Sequence, residues 1–300
     1  MQYFYLAHSV SSLVCLKNLV KAKLAPELVI CHKDYQRKEL SKDFFIPLKK
    51  YCALKKIKLV QSDNLPDIKD KIKNFEVGVC VGYMNILRKD FFEIPKHGIF
   101  NLHCGKLPNY RGRAPISRTI MNGDTNLVMT LHKMDEGVDS GDIAIERNIK
   151  ITLKDDVNTL YKKFSENSYK TILDLLAKLE KNKLNLLKQK IDNTKANTKL
   201  SEAECRINWD RPQREVFNKI RALKFPYPGA FTVVNNEKYF FLNSTMGKII
   251  RNGKAGLINR VDSNGISVNT KDFILKISDI YKDNKKVKVK SEFKTGEQFI

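Results

Sequence analysis

The chain has 300 residues, of which 42% are hydrophobic and 29% are charged. These values fit one large or two small globular domains and exclude a disordered, collagenous or coiled-coil chain. The longest apolar runs, such as residues 77–81, are far shorter than the roughly 20 residues of a membrane-spanning helix. The N-terminal sequence lacks the basic and apolar regions of a signal peptide, so we expect a cytoplasmic protein that binds no membrane.

The net charge of +22 comes mostly from 43 lysines, against only 12 arginines, and it is spread along the whole chain. The excess is smallest in residues 101–150, which contain seven basic and six acidic side chains. Because nucleic-acid-binding proteins concentrate Lys and Arg on one face, this even distribution does not favour a nucleic-acid partner. It does favour anionic small molecules such as phosphorylated substrates or polyglutamate.

The six cysteines include no CxxC pair. Most of them lie within apolar runs, so we interpret them as reduced, buried thiols of a cytosolic protein. Their spacing indicates neither a zinc ribbon nor a disulfide framework.

Strands and helices alternate over the first hundred residues. Apolar, β-branched runs predict strands, and apolar residues at helical spacing predict the helices between them. The predicted strands are residues 2–7, 28–32, 57–60, 76–83 and 98–102, and the predicted helices are residues 10–23, 43–55 and 64–73. This alternation is typical of an α/β fold with a Rossmann-like, mainly parallel sheet that is covered on both faces.

The turn between the first strand and the first helix reads AHSVSS and contains no glycine. The GxGxxG fingerprint of dinucleotide-binding sheets is therefore absent from this turn, and the chain has no GxxxxGK[ST] phosphate loop. The first absence argues against NAD or FAD as a cofactor.

A long amphipathic helix is predicted over residues 155–181, after which the sequence loses its periodicity and becomes rich in Lys, Asn and Thr. We therefore place an N-terminal domain at residues 1–190, a linker at 191–203 and a C-terminal domain at 204–300.

The C-terminal domain contains a predicted helix at residues 214–223 and then several short strands at regular spacing, which is typical of a small β-barrel or sandwich. The predicted strands are residues 230–234, 238–242, 255–261, 265–269 and 273–278. We interpret Trp209 as a packing anchor. Residues 282–300 are basic, and we expect them to be peripheral.

The residues best suited to chemistry lie in segments 100–115 and 130–143. Asn101 and His103 are two apart at the end of a predicted strand, so their side chains point to the same face. In parallel α/β sheets, ligands bind at this carboxyl edge. The second segment places Asp135 and Asp139 in a loop bounded by glycines.

These residue types suit the transfer of an acyl or formyl group to an amine. In that reaction the attacking amine loses a proton, the leaving nitrogen gains one, and the tetrahedral oxyanion needs stabilisation. His103 suits the proton transfer, and the Asn101 carboxamide suits the oxyanion. A nearby Asp139 carboxylate would raise the pKa of His103 and hold its tautomer.

Other interpretations stay open from the residues alone. His103 could be structural, and acidic side chains such as Asp142 could be solvated loop charges. A metal site would use His103, His132, Asp135 and Asp139, although no HxxxH or HxH spacing supports it. Cys104 could act as a nucleophile, but adjacent strand residues face opposite sides, so we expect it to face away from His103.

Residues 101–115 read NLHCGKLPNYRGRAP, and residues 135–142 read DEGVDSGD. These motifs resemble those of formyltransferases that use N10-formyltetrahydrofolate, in which N-x-H-x-S-L-L-P-x-Y-R-G-x-x-P is followed by D-x-G-x-D-x-G-D. This chain has CGKL where the family commonly has GSLL, and it keeps the Asn and His. INW at 207–209 and FPYPGAFT at 225–232 resemble the start of the family's C-terminal OB-like barrel, so the resemblance covers nearly the whole chain.

The resemblance implies a Rossmann-like formyltransferase domain followed by a small OB-like β-barrel domain. It implies transfer of a formyl group from N10-formyltetrahydrofolate to an amine, with release of tetrahydrofolate and no metal. Asn101 would stabilise the oxyanion, His103 would shuttle the proton, and Asp139 would be the partner of His103. The residues that the resemblance places at the folate are Asn85, Ile86, Leu87, Arg113, Asp135, Glu136, Gly137 and Val138.

The family has two branches that differ in the acceptor. Enzymes that formylate methionyl-tRNA typically carry G-T-P near the first turn and a long Gly/Arg/Lys-rich loop after the second strand. This chain has AHSVSS and the shorter HKDYQRKELSKDF at these places. Its NLH and YRGRAP look most similar to the formyltransferase domain that acts on UDP-4-amino-4-deoxy-arabinose.

We therefore expect a nucleotide-linked amino sugar as the acceptor, as in lipopolysaccharide O-antigen biosynthesis, with methionyl-tRNA as the alternative. A non-enzymatic binding module is a third interpretation, and the intact set of Asn101, His103 and Asp139 argues against it. The sequence is compatible with a homodimer through the barrel region.

Overall fold

A computed structural model describes residues 1–33, 41–64, 66–83, 87–192, 195–225 and 227–299. The chain forms two compact units. The first comprises Met1–Gly112, Leu127–Lys150 and Tyr161–Asn197, and the second comprises Arg113–Asn126, Ile151–Leu160 and Thr198–Ile300. Within the described residues, no helix is long and apolar enough to cross a membrane.

The first unit contains a seven-stranded sheet in the order β3-β2-β1-β4-β5-β6-β7. Its strands are β1 Tyr3–Ala7, β2 Leu28–Cys31, β3 Lys58–Gln61, β4 Val77–Val81, β5 Ile99–His103, β6 Asn126–Lys133 and β7 Ile143–Lys150. Strands β1 to β5 pair in parallel, and β6 pairs antiparallel with β5. Every residue of β1, β2 and β4 is buried, as expected for strands covered on both faces. The predicted mainly parallel α/β sheet is confirmed.

The helices of the described residues are named in chain order. They are α1 Val10–Lys21, α2 Ile46–Leu54, α3 Pro66–Ile72, α4 Lys89–Phe92, α5 Pro115–Met121, α6 Val157–Glu180, α7 Glu202–Cys205, α8 Gln213–Ala222 and α9 Val289–Glu292. The glycine-free turn after β1 ends in a capping box, in which the Ser9 hydroxyl accepts a hydrogen bond from the Ser12 amide and the Ser12 side chain caps the Ser9 amide.

The predicted helix at 43–55 differs from the structure at its start. Ser41–Phe45 forms a π-helical turn, and the α-helix begins only at Ile46. Pro47 lies in the first turn of α2, where its missing N–H breaks no hydrogen bond within the helix.

The second unit contains a six-stranded antiparallel sheet. Its strands are β8 Ala230–Val234, β9 Glu237–Ile250, β10 Ile258–Asp262, β11 Gly265–Asn269, β12 Phe273–Lys282 and β13 Lys285–Lys286. The predicted small β domain is confirmed, but β9 is far longer than the predicted strand at 238–242. Its segment Glu237–Phe241 pairs with β8, and β12 pairs with β9 from Phe240 to Ile250.

Residues 113–126 and 151–160 belong to the second unit because of contacts with α8. The Ser117 hydroxyl donates a hydrogen bond to the Ala222 carbonyl at 2.7 Å. The Arg221 guanidinium donates to the carbonyls of Thr152 and Asp155, both at 2.7 Å. The compact units are therefore discontinuous in sequence, whereas periodicity and composition lead only to contiguous domains.

The C-terminal residues differ from the prediction that they are peripheral. Phe293 and Phe299 are only 2% and 3% exposed. Phe299 lies 5.2 Å from the ring of Trp209 and 5.9 Å from that of Phe241, so the basic tail carries two aromatic side chains into the core. Trp209 is buried in this cluster, as predicted for a packing anchor.

We expect Phe241→Ala to lower the free energy of unfolding of the second unit by about 3–5 kcal/mol, because it leaves a cavity beneath Trp209 and Phe299. Trp209 is the only tryptophan of the chain and reports urea unfolding by fluorescence. Phe225→Ala is the matched control because Phe225 is 71% exposed. Equal urea midpoints for the two variants would contradict this packing.

Candidate active site

Strand β5 ends with the predicted pair, Asn101 and His103. The antiparallel neighbour β6 places His132 directly opposite Asn101. His103 is 7% exposed and His132 is 2% exposed, so both imidazoles are buried. The strand pairing therefore brings a second histidine to the predicted site.

Asp139, in the loop between β6 and β7, joins these side chains. Its Oδ2 lies 3.4 Å from Nδ1 of His103, and its Oδ1 lies 3.3 Å from Nε2 of His132. Oδ1 also accepts a hydrogen bond from the Asn101 carboxamide at 3.2 Å, and Oδ2 accepts one from the Gly112 amide at 2.9 Å. One carboxylate thus contacts both histidines, the Asn101 carboxamide and the Gly112 amide.

The surroundings keep Asp139 ionised. Burial raises the pKa of its carboxyl, but the charges of His103 and His132 and the hydrogen bonds from His132 and Gly112 lower it more. The net pKa lies well below the ordinary value of 3.8. A fixed negative charge therefore faces both histidines at neutral pH.

His103 experiences opposing effects. Burial lowers its pKa, Asp139 and the hydrogen bond to the Tyr110 carbonyl raise it, and His132 lowers it. The charge of Asp139 acts in the predicted direction, but burial outweighs it, so the net pKa lies below 6.5. His103 is therefore neutral at pH 7 and able to accept a proton.

The second ring nitrogen of His103 is also held. Nε2 lies 2.7 Å from the Tyr110 carbonyl oxygen, which only accepts hydrogen bonds, so Nε2 carries a proton. Protonation at Nδ1 would create a ring that donates to Asp139 and to Tyr110 at once. The same two partners orient the ring and stabilise its charged form.

Gly112 adopts a backbone conformation that this site requires. Its φ is +87°, and a Cβ added there would lie 2.3 Å from the carbonyl oxygen of Asn197. Asn197 in turn donates its backbone amide to the Arg111 carbonyl at 2.8 Å. Only glycine fits this close backbone approach, and the approach aims the Gly112 amide at Asp139.

Gln189 fixes the backbone of the Asp139 loop. Its side-chain amide donates to the carbonyls of Asp139 at 3.0 Å and Gly141 at 2.6 Å. Asp139 itself has φ +49°, a left-handed conformation that non-glycine residues rarely adopt and that clusters at functional sites. Gln189 is 8% exposed and stabilises this conformation from outside the loop.

Sequence reasoning missed the roles of His132, Gln189, Tyr110 and Gly112. His132 was considered only as a metal ligand, although a predicted antiparallel pairing with β5 would have placed it beside Asn101. Gln189 lies about fifty residues from its partner in a stretch without periodicity. No local signal marks it, because the contact is formed only by the tertiary fold.

The alternative chemistries find little support in the geometry. Among the described residues, no cluster of three or more His, Cys, Asp or Glu side chains has the arrangement of a metal site. Burial raises the pKa of the Cys104 thiol to about 12, so the thiolate needed for nucleophilic attack is scarce at neutral pH.

The residues expected at the folate are only partly brought together. Asp135, Glu136 and Gly137 line a cavity of about 540 Å³, together with Phe92 and Met134. Leu87 is buried in a core cluster that also contains Phe92, and Met134 packs against that cluster. Val138 is 52% exposed and does not line this cavity.

Three further residues were expected at the folate: Asn85, Ile86 and Arg113. Asn85 and Ile86 lie outside the described residues. Arg113 is exposed and belongs to the second compact unit.

Two family models match the chain. The model described as formyl transferase matches residues 11–176, and the model described as formyl transferase, C-terminal domain, matches residues 199–298. The chain belongs to the formyl transferase family, and it is therefore an N-formyltransferase of the class that uses formyl-folate.

Curated relatives carry the name methionyl-tRNA formyltransferase. The protein of Caldicellulosiruptor saccharolyticus is 36% identical over 78% of this chain and 76% of its own. The protein of Syntrophomonas wolfei is 30% identical over 99% of this chain and 96% of its own.

Solved structures with similar folds include sugar N-formyltransferases. WlaRD, a sugar 3N-formyl transferase solved with dTDP and 5-N-formyl-THF, has a TM-score of 0.68 and 21% identity, over 95% of this chain and 98% of that one. The Helicobacter canadensis N-formyltransferase, solved with folinic acid and dTDP-3-aminofucose, has a TM-score of 0.64 and 18% identity, over 94% and 100%. At these identities the likeness concerns the fold alone.

We expect His103→Ala and Asn101→Ala each to lower turnover by a factor on the order of 10² or more. The reason is their predicted roles, His103 as the proton acceptor and Asn101 as the oxyanion donor. Cys104→Ser is the matched control and should keep most of the activity. Tetrahydrofolate release measures turnover, and circular dichroism checks that each variant is folded. Near wild-type turnover in His103→Ala would contradict the assignment.

We expect the imidazole of His103 to titrate below pH 6.5, and to titrate at still lower pH in Asp139→Asn, because that change removes a charge that raises its pKa. The neutral, proton-accepting form then persists to lower pH in the variant. NMR titration with labelled histidine measures the pKa of His103 in the wild type and in Asp139→Asn. The His103 signal is assigned as the one that is lost in His103→Gln. Asp135→Asn is the control and should leave the pKa of His103 unchanged. A higher pKa of His103 in Asp139→Asn than in the wild type would contradict the prediction.

Proposed function

We propose that the protein transfers the formyl group of N10-formyltetrahydrofolate to the amino group of a nucleotide-linked amino sugar. The observation that carries the chemistry is the convergence of Asn101, His103 and Asp139 at the end of β5. These three supply a carboxamide, a neutral imidazole and a fixed carboxylate.

The reaction begins with attack of the neutral amine nitrogen on the formyl carbon. A C–N bond forms, the carbonyl becomes an oxyanion, and the former amine must lose a proton. His103 is neutral and accepts that proton, and the resulting imidazolium is stabilised by Asp139. The bond to N10 then breaks as N10 takes the proton from the His103 imidazolium, which leaves an N-formyl product, tetrahydrofolate and a neutral His103.

Asn101 has a donor to offer the oxyanion. Its carboxamide nitrogen lies 3.2 Å from Asp139 Oδ1 and 3.2 Å from His132 Nε2. Nε2 of His132 donates its proton to Asp139 and therefore does not accept one from Asn101. One N–H of the carboxamide is thus available to the oxyanion, while the contact with Asp139 keeps the side chain in place. A preorganised donor of this kind contributes roughly 10²–10³ in rate.

The cavity beside the Asp139 loop suits the formyl donor. Its apolar surface from Phe92 and Met134 matches a flat heterocycle, and the carboxylates of Asp135 and Glu136 can accept the N–H groups of a pterin. Three lysines also line this cavity and would attract the glutamate carboxylates of a folate: Lys89, Lys96 and Lys133.

The first turn supports an amino sugar as the acceptor. This turn carries His8 and the Ser9 cap where enzymes that act on methionyl-tRNA typically carry G-T-P. Proteins of similar fold that cover nearly the whole chain were solved with dTDP or with dTDP-3-aminofucose. The evenly basic sequence would attract a diphosphate.

A second candidate acceptor is methionyl-tRNA. It is favoured by the names of the curated relatives, of which one is 36% identical over 78% of this chain and another is 30% identical over 99% of it. The chemistry at His103 would be the same, because both acceptors present a primary amine.

We expect turnover with a 3-amino-3-deoxy or 4-amino-4-deoxy nucleotide sugar and none with methionyl-tRNA. A diphosphate sugar makes few phosphate contacts, so its KM should depend weakly on salt, whereas affinity for tRNA would fall with roughly the 0.7–0.9 power of salt concentration per neutralised phosphate. The measurement is tetrahydrofolate release across both acceptor classes at several salt concentrations. Formylation of methionyl-tRNA with a steep salt slope, and of no amino sugar, would establish the second candidate instead.

A further inference from the structure

A second group of polar side chains lies along the carboxyl edge of the sheet. His8 follows β1, His32 follows β2, Asp63 lies two residues after β3, and Tyr83 lies two residues after β4. The chain builds outward from β1 to β2 and β3, and then returns to place β4 on the other side of β1. Such a reversal of strand order is where open α/β sheets bind ligands.

His32 is rigidly held in this group. Its Nδ1 lies 2.9 Å from Asp63 Oδ1, and its ring stacks on Tyr83 with centroids 4.2 Å apart and planes at 15°. The ring of His8 meets it edge-on at 4.4 Å. Because the Asp63 carboxylate accepts a hydrogen bond, the proton of a neutral His32 is on Nδ1 and the lone pair is on Nε2.

Nε2 of His32 and the hydroxyl of Tyr83 are buried and have no hydrogen-bond partner among the described residues. His32 is only 5% exposed. Buried polar atoms are nearly always hydrogen-bonded in proteins, so a rigid, unpaired acceptor here indicates a ligand group that completes it.

The two unpaired atoms define the ligand group chemically. Nε2 of a neutral His32 needs a donor, and the Tyr83 phenol can donate or accept. A phosphate oxygen only accepts, so it matches Nε2 of the charged ring but not of the neutral ring. A sugar hydroxyl donates to Nε2 of the neutral ring and accepts from Tyr83, so it matches both atoms.

The group is also close to the reacting centre. Cys80 of β4 pairs with Asn101 of β5, and Tyr83 follows Cys80 by three residues. Three residues span at most about 11 Å. Because β4 and β5 are neighbours in the sheet, Tyr83 therefore follows the strand end next to the one that carries His103.

We propose that His32 and Tyr83 bind a hydroxyl group of the acceptor's sugar and thereby select the acceptor. This inference rests on the proposed function, since it assigns a subsite for the same amine-bearing substrate. Asp63 is a positioning residue that fixes the tautomer of His32.

The test compares His32→Phe and Tyr83→Phe with the wild-type enzyme. Both variants keep an aromatic ring and the stacking, and each removes the hydrogen-bonding atom. Tyr51→Phe is the matched control, because the Tyr51 hydroxyl lies on α2, outside this group. We expect about a tenfold rise in KM for the acceptor and an unchanged KM for N10-formyltetrahydrofolate.

The acceptors used are dTDP-3-aminofucose and UDP-4-amino-4-deoxy-arabinose, each with analogues that lack one ring hydroxyl. With the analogue that lacks the bound hydroxyl, the KM of the wild-type enzyme should rise by the same factor of about ten. The KM of His32→Phe should be the same for this analogue as for the full acceptor, because the substitution and the missing hydroxyl remove the same interaction. If methionyl-tRNA proves to be the acceptor, tRNA ending in 2′-deoxyadenosine takes the place of the deoxy-sugar analogues.

Wild-type turnover alone tests the proposed function, and the difference between variant and wild type tests this subsite. A wild-type enzyme that formylates neither acceptor class contradicts both. An active wild type whose acceptor KM is unchanged in His32→Phe and in Tyr83→Phe overturns the subsite only. A rise in the KM of the folate donor instead would also overturn it.

Discussion

The buried carboxylate of Asp139 is the interaction on which the rest of the site depends. Two histidines, the Asn101 carboxamide and the Gly112 amide converge on its two oxygens at 2.9–3.4 Å. Removing an ion from water is costly, so a buried carboxylate persists only where its oxygens are satisfied. The same contacts orient the groups that would act on substrate. Charge, geometry and proton transfer at His103 therefore share one physical origin.

The position of Asp139 is in turn decided by backbone contacts distant in sequence. Its left-handed conformation is held by Gln189, and the facing Gly112 amide is aimed by close backbone contact with Asn197. These supports are hydrogen bonds between loops, and loops have little packing of their own. A change in Gln189 or Asn197 would act on catalysis through the placement of one carboxylate.

The carboxyl edge of the sheet divides into regions of different chemistry. The end of β5 carries the reacting groups. The cavity lined by Phe92, Met134 and Asp135 lies instead beside the start of β5, because Gly98 also lines it and Lys133 pairs with Phe100. On the other side, after β1 to β4, buried aromatic rings and an unpaired acceptor at His32 form a group suited to a neutral hydroxylated ligand. One mainly parallel sheet can thus serve two substrates, because these regions supply different side chains.

The local sequence pattern was enough to predict the alternating strands and helices and the turn between the first strand and the first helix. It also placed the side chains of Asn101 and His103 on the same face of one strand. Strand and helix periodicity are properties of neighbouring residues, so no tertiary contact is needed to predict them. The motifs also sufficed to identify the family. Only the tertiary structure placed His132 opposite Asn101, since that neighbour comes from antiparallel pairing with a distant strand. The same holds for the burial of Phe299 in a basic tail and for discontinuous units held by Arg221. Such contacts join residues far apart in sequence, and no periodicity encodes which distant partner a side chain will meet.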